Sequence, residues 1–375
     1  MGAYRPNKSI DFNLESKKMQ GEGRQMLRET KVSDLITNKK RLVEVPYTAS
    51  LADTINALMA NRILAAPVAA PPGQWIGAGG SMIMESDKQT GVARKHYIGM
   101  VTMLDVLAHI AGNGPEDLDR RMQVPVSSII GHCLESLTLW TINTHTGITD
   151  CMEVFCKGIH RALVPVDSQM ENIAGVELME SASSYHMLTQ MDLLRFLKNH
   201  EHDLQPLLQR PIAQLGAIVD AVVGVSKKTK VMDAITSMNK AALNAVPILE
   251  STGAVNADRT QLIDGKGRKP VGTFSATDLR GCPISVLQSC LQVSVMEFIN
   301  KLSEIPQHES SGLRNSTDEL VTCRPESKLG EVVDKVVSNH VHRAWVVDES
   351  GMLTGVVSLT DIIKVIRVWL LSDRT

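Results

Sequence analysis

Four stretches of the chain carry apolar residues at helical spacing and then run into a short block of consecutive apolar positions. They read SLADTINALMANRILAAPVAA from Ser50, GITDCMEVFCKGIHRALVPVD from Gly147, KVMDAITSMNKAALNAVPILE from Lys230 and KLGEVVDKVVSNHVHRAWVVDE from Lys328. In the last, Leu329, Val332, Val333, Val336 and Val337 return every three or four residues, which places them on one helix face. The run from Ala344 to Asp348 that follows predicts a short buried strand. The starts TASLADT and PESKLGE predict a loop followed by a capped helix.

A second pattern follows each of these stretches: apolar residues, Thr or Ser, two residues, Asp, and an apolar helical stretch. It appears as GMVTMLDVLAHI from Gly99, HMLTQMDLLRFL from His186, GTFSATDLRG from Gly272 and GVVSLTDIIKVI from Gly355. The aspartates are Asp105, Asp192, Asp278 and Asp361, at spacings of 87, 86 and 83 residues. One such match means little, but four in phase are an internal repeat, and a repeat decides architecture. Each unit is strand, helix, strand, strand, helix, with parallel pairing expected across the crossover helix. The units are expected over residues 30–112, 122–200, 211–283 and 292–371, with long insertions at 70–96 and 251–269. Residues 1–29 are mixed in charge and aperiodic, and a mobile arm is expected there.

Composition narrows the chemistry. Apolar residues make up 43% of the 375 positions and aromatics only 3%, so the core must be built from Ala, Val, Ile, Leu and Met. Met59, Met152 and Met238 on the repeat helices read as packing residues. A formal charge of −2 argues against a general nucleic-acid binder. The six cysteines form no CxxC pair and no zinc spacing, which fits reduced thiols in an intracellular compartment, cytoplasmic or nuclear. Cys151, Cys156 and His160 share a helix spacing, but buried thiols on an amphipathic helix are the commoner meaning. The start, MGAYRPNKSIDF, has no apolar stretch of the secretory kind, and Pro6 stands where a myristoylation signal needs Ser or Thr. No run of about 18 apolar residues suggests a membrane span. There is no P-loop, no HRD or DFG triplet, and GAGGS after Ile76 is not a dinucleotide fingerprint.

The four repeats resemble cystathionine-β-synthase (CBS) motifs. Four in one chain, with little else, resemble the gamma regulatory subunit of the AMP-activated and sucrose-nonfermenting-related protein kinase family, most of all its plant members. The resemblance covers about residues 30–371. It implies an α/β fold of four β-α-β-β-α motifs in two tandem pairs, repeats one with two and three with four. The pairs would form a flat, pseudo-symmetric disc with AMP, ADP or ATP in clefts near its centre. It also implies a catalytic alpha subunit and a scaffolding beta subunit as partners, and no catalysis or metal of the chain's own.

The residues support that reading in part. A carboxylate can accept from both hydroxyls of a ribose, as the ribose acid of dinucleotide folds does, and free N–H groups at a helix start favour anions. Thr102 with Asp105, Thr189 with Asp192, Ser275 and Thr277 with Asp278, and Ser358 and Thr360 with Asp361 are candidates for this role. The same residue types are ordinary helix caps, and four phased copies favour ligand binding at some of them. His160–Arg161 and His342–Arg343 stand between helix and strand in repeats two and four and match the family's phosphate-contacting pairs. Arginine offers a planar charged fork; a solvated helix end is the competing reading. Repeat one has Leu64 where the family has arginine, with Arg62 two residues away, and repeat three has Asn244 and Ala245. In repeat two His186 and Met187 replace the glycine. The expected ranking of sites is Asp361, Asp278, Asp105, then Asp192. The chain is expected to be a regulatory kinase subunit that reports energy state. The alternative is a stand-alone CBS sensor of another adenosyl ligand such as S-adenosylmethionine.

Overall fold

The computed structural model describes residues 21, 23–71, 95–111, 118–130, 139–166, 184–250, 261–279, 289–303 and 320–372. A short helix, α1 (Val32–Ile36), leads into repeat one, which comprises β1 (Val45–Pro46), α2 (Leu51–Ala60), β2 (Ala65–Ala69), β3 (Tyr97–Thr102) and α3 (Met103–Ala111). The expected cap at Ser50 is present: its Oγ accepts from the Asp53 N–H at 3.0 Å. Leu51, Ile55 and Leu58 then point one apolar face of α2 into the core. β1 pairs parallel with β2 across this helix, and β2 pairs antiparallel with β3. Pro67 lies in β2 before its parallel neighbour begins at Val68, so its missing N–H costs no ladder bond there.

After a short helix, α4 (Leu118–Met122), the same order returns three times. Repeat two has α5 (Ile148–Cys156), β4 (Arg161–Pro165), β5 (Tyr185–Thr189) and α6 (Gln190–Asn199), followed by α7 (Glu201–Leu208); its first strand is reduced to one parallel bridge, Thr141 to Leu163. Repeat three has β6 (Val223–Ser226), α8 (Val231–Lys240), β7 (Ala245–Leu249), β8 (Ile263–Asp264), β9 (Pro270–Ser275) and a 3₁₀ turn at Ala276–Leu279. Repeat four is entered by α9 (Val295–Ser303) and has β10 (Thr322–Cys323), α10 (Leu329–Ser338), β11 (Arg343–Val347), β12 (Leu353–Ser358) and α11 (Leu359–Leu371). The parallel crossover pairing holds for β6 with β7 and for β10 with β11.

Two kinds of contact join the repeats. Tandem neighbours exchange hydrogen bonds between their lead-in segments: the N–H groups of Val32 and Ile148 donate to the carbonyls of Thr146 and Thr30, and those of Ile212 and Leu329 to the carbonyls of Ser327 and Arg210. Their sheets also touch. Leu42 and Tyr97 meet Leu163, Tyr185 and Met187, while Val222 meets Trp345 and Leu353. The helices pair the other way. One large core joins α2, α3, α8 and α9 of repeats one, three and four's lead-in, and a second joins α5, α6, α10 and α11 of repeats two and four. Sheets link one to two and three to four, and helices link one to three and two to four. The four repeats therefore close into a ring.

Some features differ from expectation. Residues 23–29, expected within a mobile arm, are helical. Apolar periodicity misses this helix because Leu27 alone is buried in the core, and polar contacts add to it: Arg28 Nε donates to the Leu370 carbonyl at 2.6 Å, and the Arg24 guanidinium lies 4.5 Å over the Trp369 ring. Most of the first insertion, 72–94, lies outside the described residues, as do 251–260 of the second. The rest of the second insertion contributes β8, an edge strand that pairs antiparallel with β6. Cys151 is a core residue, and burial pushes its thiol up to about 12. Met152 and Met238 are fully buried.

Candidate functional site

In every repeat the Thr or Ser of the Thr/Ser-x-x-Asp step ends a strand, and it pairs with the first residue of the strand that follows the crossover helix. The pairs are Ala65 with Thr102, Arg161 with Thr189, Ala245 with Ser275 and Arg343 with Ser358. One residue earlier, a carbonyl accepts from the N–H that opens the following turn of helix. Leu64 accepts from Met103, His160 from Gln190, Asn244 from Ala276 and His342 from Leu359, at 2.8, 3.1, 2.9 and 3.0 Å. The four positions are thus equivalent, as read from the sequence. Repeats two and four bring a His–Arg pair to the cap, while repeats one and three bring Leu64–Ala65 and Asn244–Ala245. Arg62 sits in an exposed left-handed turn.

Each aspartate closes a cap on its own helix or turn. Asp105 Oδ2 accepts from the Thr102 N–H at 2.8 Å and its hydroxyl at 2.7 Å. Asp192 does the same with Thr189 at 2.9 and 2.6 Å, Asp278 with Ser275 at 2.7 and 3.2 Å, and Asp361 with Ser358 at 2.9 and 2.6 Å. The capping reading is therefore correct for all four. It does not compete with ligand recognition, because an ionised carboxylate has about four acceptor sites and the cap engages one oxygen. Asp105 and Asp278 are buried, whereas Asp192 and Asp361 are half-buried.

Three repeats meet around these caps. Asn244 Nδ2 of repeat three lies 3.4 Å from His160 Nδ1 of repeat two. Those repeats are diagonal in the ring, so a contact between them marks its hub. Arg343 of repeat four donates from Nη1 to the Ala245 carbonyl at 3.0 Å. Burial pushes the Arg343 guanidinium down to about 10, with Asp361 opposing the shift, so it stays charged at neutral pH. Trp345, two residues on, ties repeat four to repeat three by donating from Nε1 to Thr273 Oγ1 at 2.8 Å.

Other expected residues are placed differently. Thr360 accepts a hydrogen bond from Gln190 Nε2 at 2.8 Å, which links the helices of repeats two and four. Thr277 is half-buried in the 3₁₀ turn of repeat three. Asp192 is ion-paired with Lys39 from the lead-in of repeat one. Lys39 and Gln190 are not among the residues expected from the sequence. Gln190 could have been found from its place directly after Thr189, but nothing in the local pattern around Lys39 points to repeat two.

Comparison with known proteins agrees with this architecture. The family model described as the CBS domain matches residues 313–368. An Arabidopsis thaliana protein named SNF1-related protein kinase regulatory subunit gamma-like PV42a is 57% identical over 340 residues, 89% of this chain and 94% of that one. A second from the same plant, gamma-like PV42b, is 54% identical over 349 residues, 92% and 97% of the two chains. The gamma-3 subunit of the 5′-AMP-activated protein kinase of Sus scrofa is 25% identical over 88% of this chain and 55% of its own length. A Methanocaldococcus jannaschii crystal structure, proposed as an archaeal homologue of g-AMPK, matches 89% of this chain at a TM-score of 0.59 and 16% identity, which supports the fold. With identity above one half across nearly the full length of two relatives, this chain belongs to the gamma-like regulatory subunits of the SNF1-related protein kinase family.

Proposed function

We propose that the chain binds adenine nucleotides at the hub of its four repeats and passes their presence to a kinase. The chain is a non-catalytic regulatory subunit, as its family is. Its ligands in this reading are AMP, ADP or ATP, and its partners are a catalytic alpha-type subunit and a scaffolding beta-type subunit inside the cell. Among the described residues no helix is long and apolar enough to cross a membrane.

The observation that carries the reading is the convergence of His160, Asn244 and Arg343 from three repeats, with Arg343 in the field of Asp361. A cationic, donor-rich centre flanked by a capping carboxylate offers complementary partners for phosphate and ribose. Arginine from two repeats suits phosphate by charge and by geometry. Asp361 would accept from the ribose hydroxyls with the capacity that its cap leaves. A ligand held by several repeats at once favours one arrangement of the ring. It can shift a kinase equilibrium only by its difference in affinity for the two states.

The test is titration of the purified full chain with AMP and ATP. Asp361→Ala and Arg161→Ala are each expected to weaken binding roughly ten- to hundredfold, the cost of losing a hydrogen bond to a charged group. The Arg161→Ala loss should shrink as salt rises, because the contact it removes is ionic. Unchanged affinity in both folded variants would refute the site.

A further inference from the structure

Repeat two keeps its aspartate, yet something inside the molecule already sits on it. Lys39 Nζ forms an ion pair with Asp192 Oδ2, the same oxygen that accepts from the Thr189 N–H and hydroxyl. The two side chains are only 23% and 16% exposed, so solvent screens the pair poorly.

The position differs between the lead-ins of repeats one and three. Val45 pairs with Val68, and Val225 pairs with Ile248 at the same register, so the lead-ins of repeats one and three can be aligned residue by residue. Counting back, Lys39 stands where Val219 stands. Against repeat four, Val219 exchanges backbone bonds with Val356 at 2.9 and 2.8 Å. The approach is so close that a Cβ on Gly355 would lie 2.6 Å from Ile218 Cγ2 and 2.8 Å from the Val219 carbonyl oxygen. Repeat two has His186 at the place of Gly355, and an imidazole cannot fit under such a segment. His186 Nδ1 instead lies 3.2 Å from the Lys40 carbonyl oxygen. The lead-in is held by that side chain, and its lysine reaches the aspartate. Repeat four is met at the matching place by Val219, an aliphatic residue of repeat three's lead-in, so Asp361 meets no lysine from this segment.

We propose that repeat two contains a latent nucleotide site whose ribose-binding carboxylate is occupied by Lys39. On this view Lys39, and not a lost aspartate, decides that the cleft takes no nucleotide. The ammonium already neutralises the carboxylate beside its cap, so a neutral ribose hydroxyl gains little from the oxygen that the cap leaves. The inference rests on the reading of the capping aspartates as ribose acceptors.

The number of AMP molecules bound per full-length chain decides it, measured by equilibrium dialysis with labelled AMP. Lys39→Met keeps the apolar stem and removes the charge, and Lys39→Gln is a second neutral variant. Each should bind one more AMP than the wild type. Lys39→Arg should bind the wild-type number, and Lys39→Met with Asp192→Asn should lose the gained site. A wild-type count in either folded neutral variant overturns the proposal. So does a lower count, which would make Lys39 a phosphate ligand. In both of those outcomes the wild-type sites remain and the hub reading survives, whereas no binding by any form would remove the hub reading as well.

Discussion

The residue three places before each capping hydroxyl controls how near a neighbouring segment can come. It is Gly99, His186, Gly272 and Gly355 in the four repeats. At Gly355 the close neighbours are backbone and a branched side chain, Val219 O at 2.8 Å and Ile218 Cγ2 at 2.6 Å from the added Cβ. Neither can yield without moving the lead-in, so Gly355→Ala is expected to destabilise the protein by about 1–3 kcal/mol, the usual cost of overpacking. At Gly272 the nearest atom is Ile248 Cδ1 at 3.4 Å, the end of a flexible side chain. Gly272→Ala should therefore stay within about 0.5 kcal/mol of wild type. Urea unfolding of the two variants side by side checks the pair, and equal losses would show that the lead-in can shift. The absent glycine of repeat two is legible in the sequence. Its consequence is not, because the lysine that it admits belongs to another repeat. The hub is legible to the same degree: His160, Arg161, His342 and Arg343 stand out as polar pairs before buried strands. That Asn244 meets His160 depends on ring closure.

The first helix of every repeat ends in the same way. Arg62, Gly158, Ala242 and His340 each precede the next strand by three residues and have φ of 53°, 85°, 53° and 52°. The left-handed turn lets the chain reverse from helix to strand in a few residues. Only repeat two uses the residue type that adopts it without strain. The conformation costs an alanine about 1–2 kcal/mol, while glycine gives back about 0.4–1 kcal/mol through a freer unfolded chain. Ala242 is exposed and has little packing to lose. Ala242→Gly should therefore stabilise by about 0.5–1 kcal/mol, and Gly158→Ala should destabilise by a similar amount. Chemical denaturation measures both, and a loss at Ala242→Gly would mean that the turn is not strained. The elements themselves follow from period: Leu329, Val332, Val333 and Val336 are all buried, as their spacing requires. What period misses is short or polar. β8 is two residues long, the first strand of repeat two is a single bridge, and the helix at 23–29 is held by arginine against carbonyl oxygens.

An apolar helix face states that something covers it and leaves the partner open. Sequence order pairs repeat one with two and three with four, and the lead-in exchanges and sheet contacts follow that order. The helices cross it, since α5 of repeat two packs on α11 of repeat four. Polar contacts fix that crossing: Arg367 donates from Nε to the Thr149 carbonyl at 2.9 Å and from Nη2 to Glu153 Oε2 at 2.6 Å. Phe155, fully buried on α5, belongs to the same core as Ile362, Ile363 and Ile366 on α11. Repeats separated by more than 150 residues therefore share one cooperative unit. Phe155→Ala should cost about 3–5 kcal/mol through lost burial and the cavity left behind. Hydrogen exchange followed by mass spectrometry can show where that loss is felt. Amides of Leu359–Leu371 should lose protection along with those of Ile148–Cys156, while α8 and α9, packed around Phe274 and Phe298 in the other core, keep theirs. If protection instead fell in repeats two and one together and stayed in repeat four, the tandem pair would be the folding unit. The helix contacts would then be a docking surface between two independent halves.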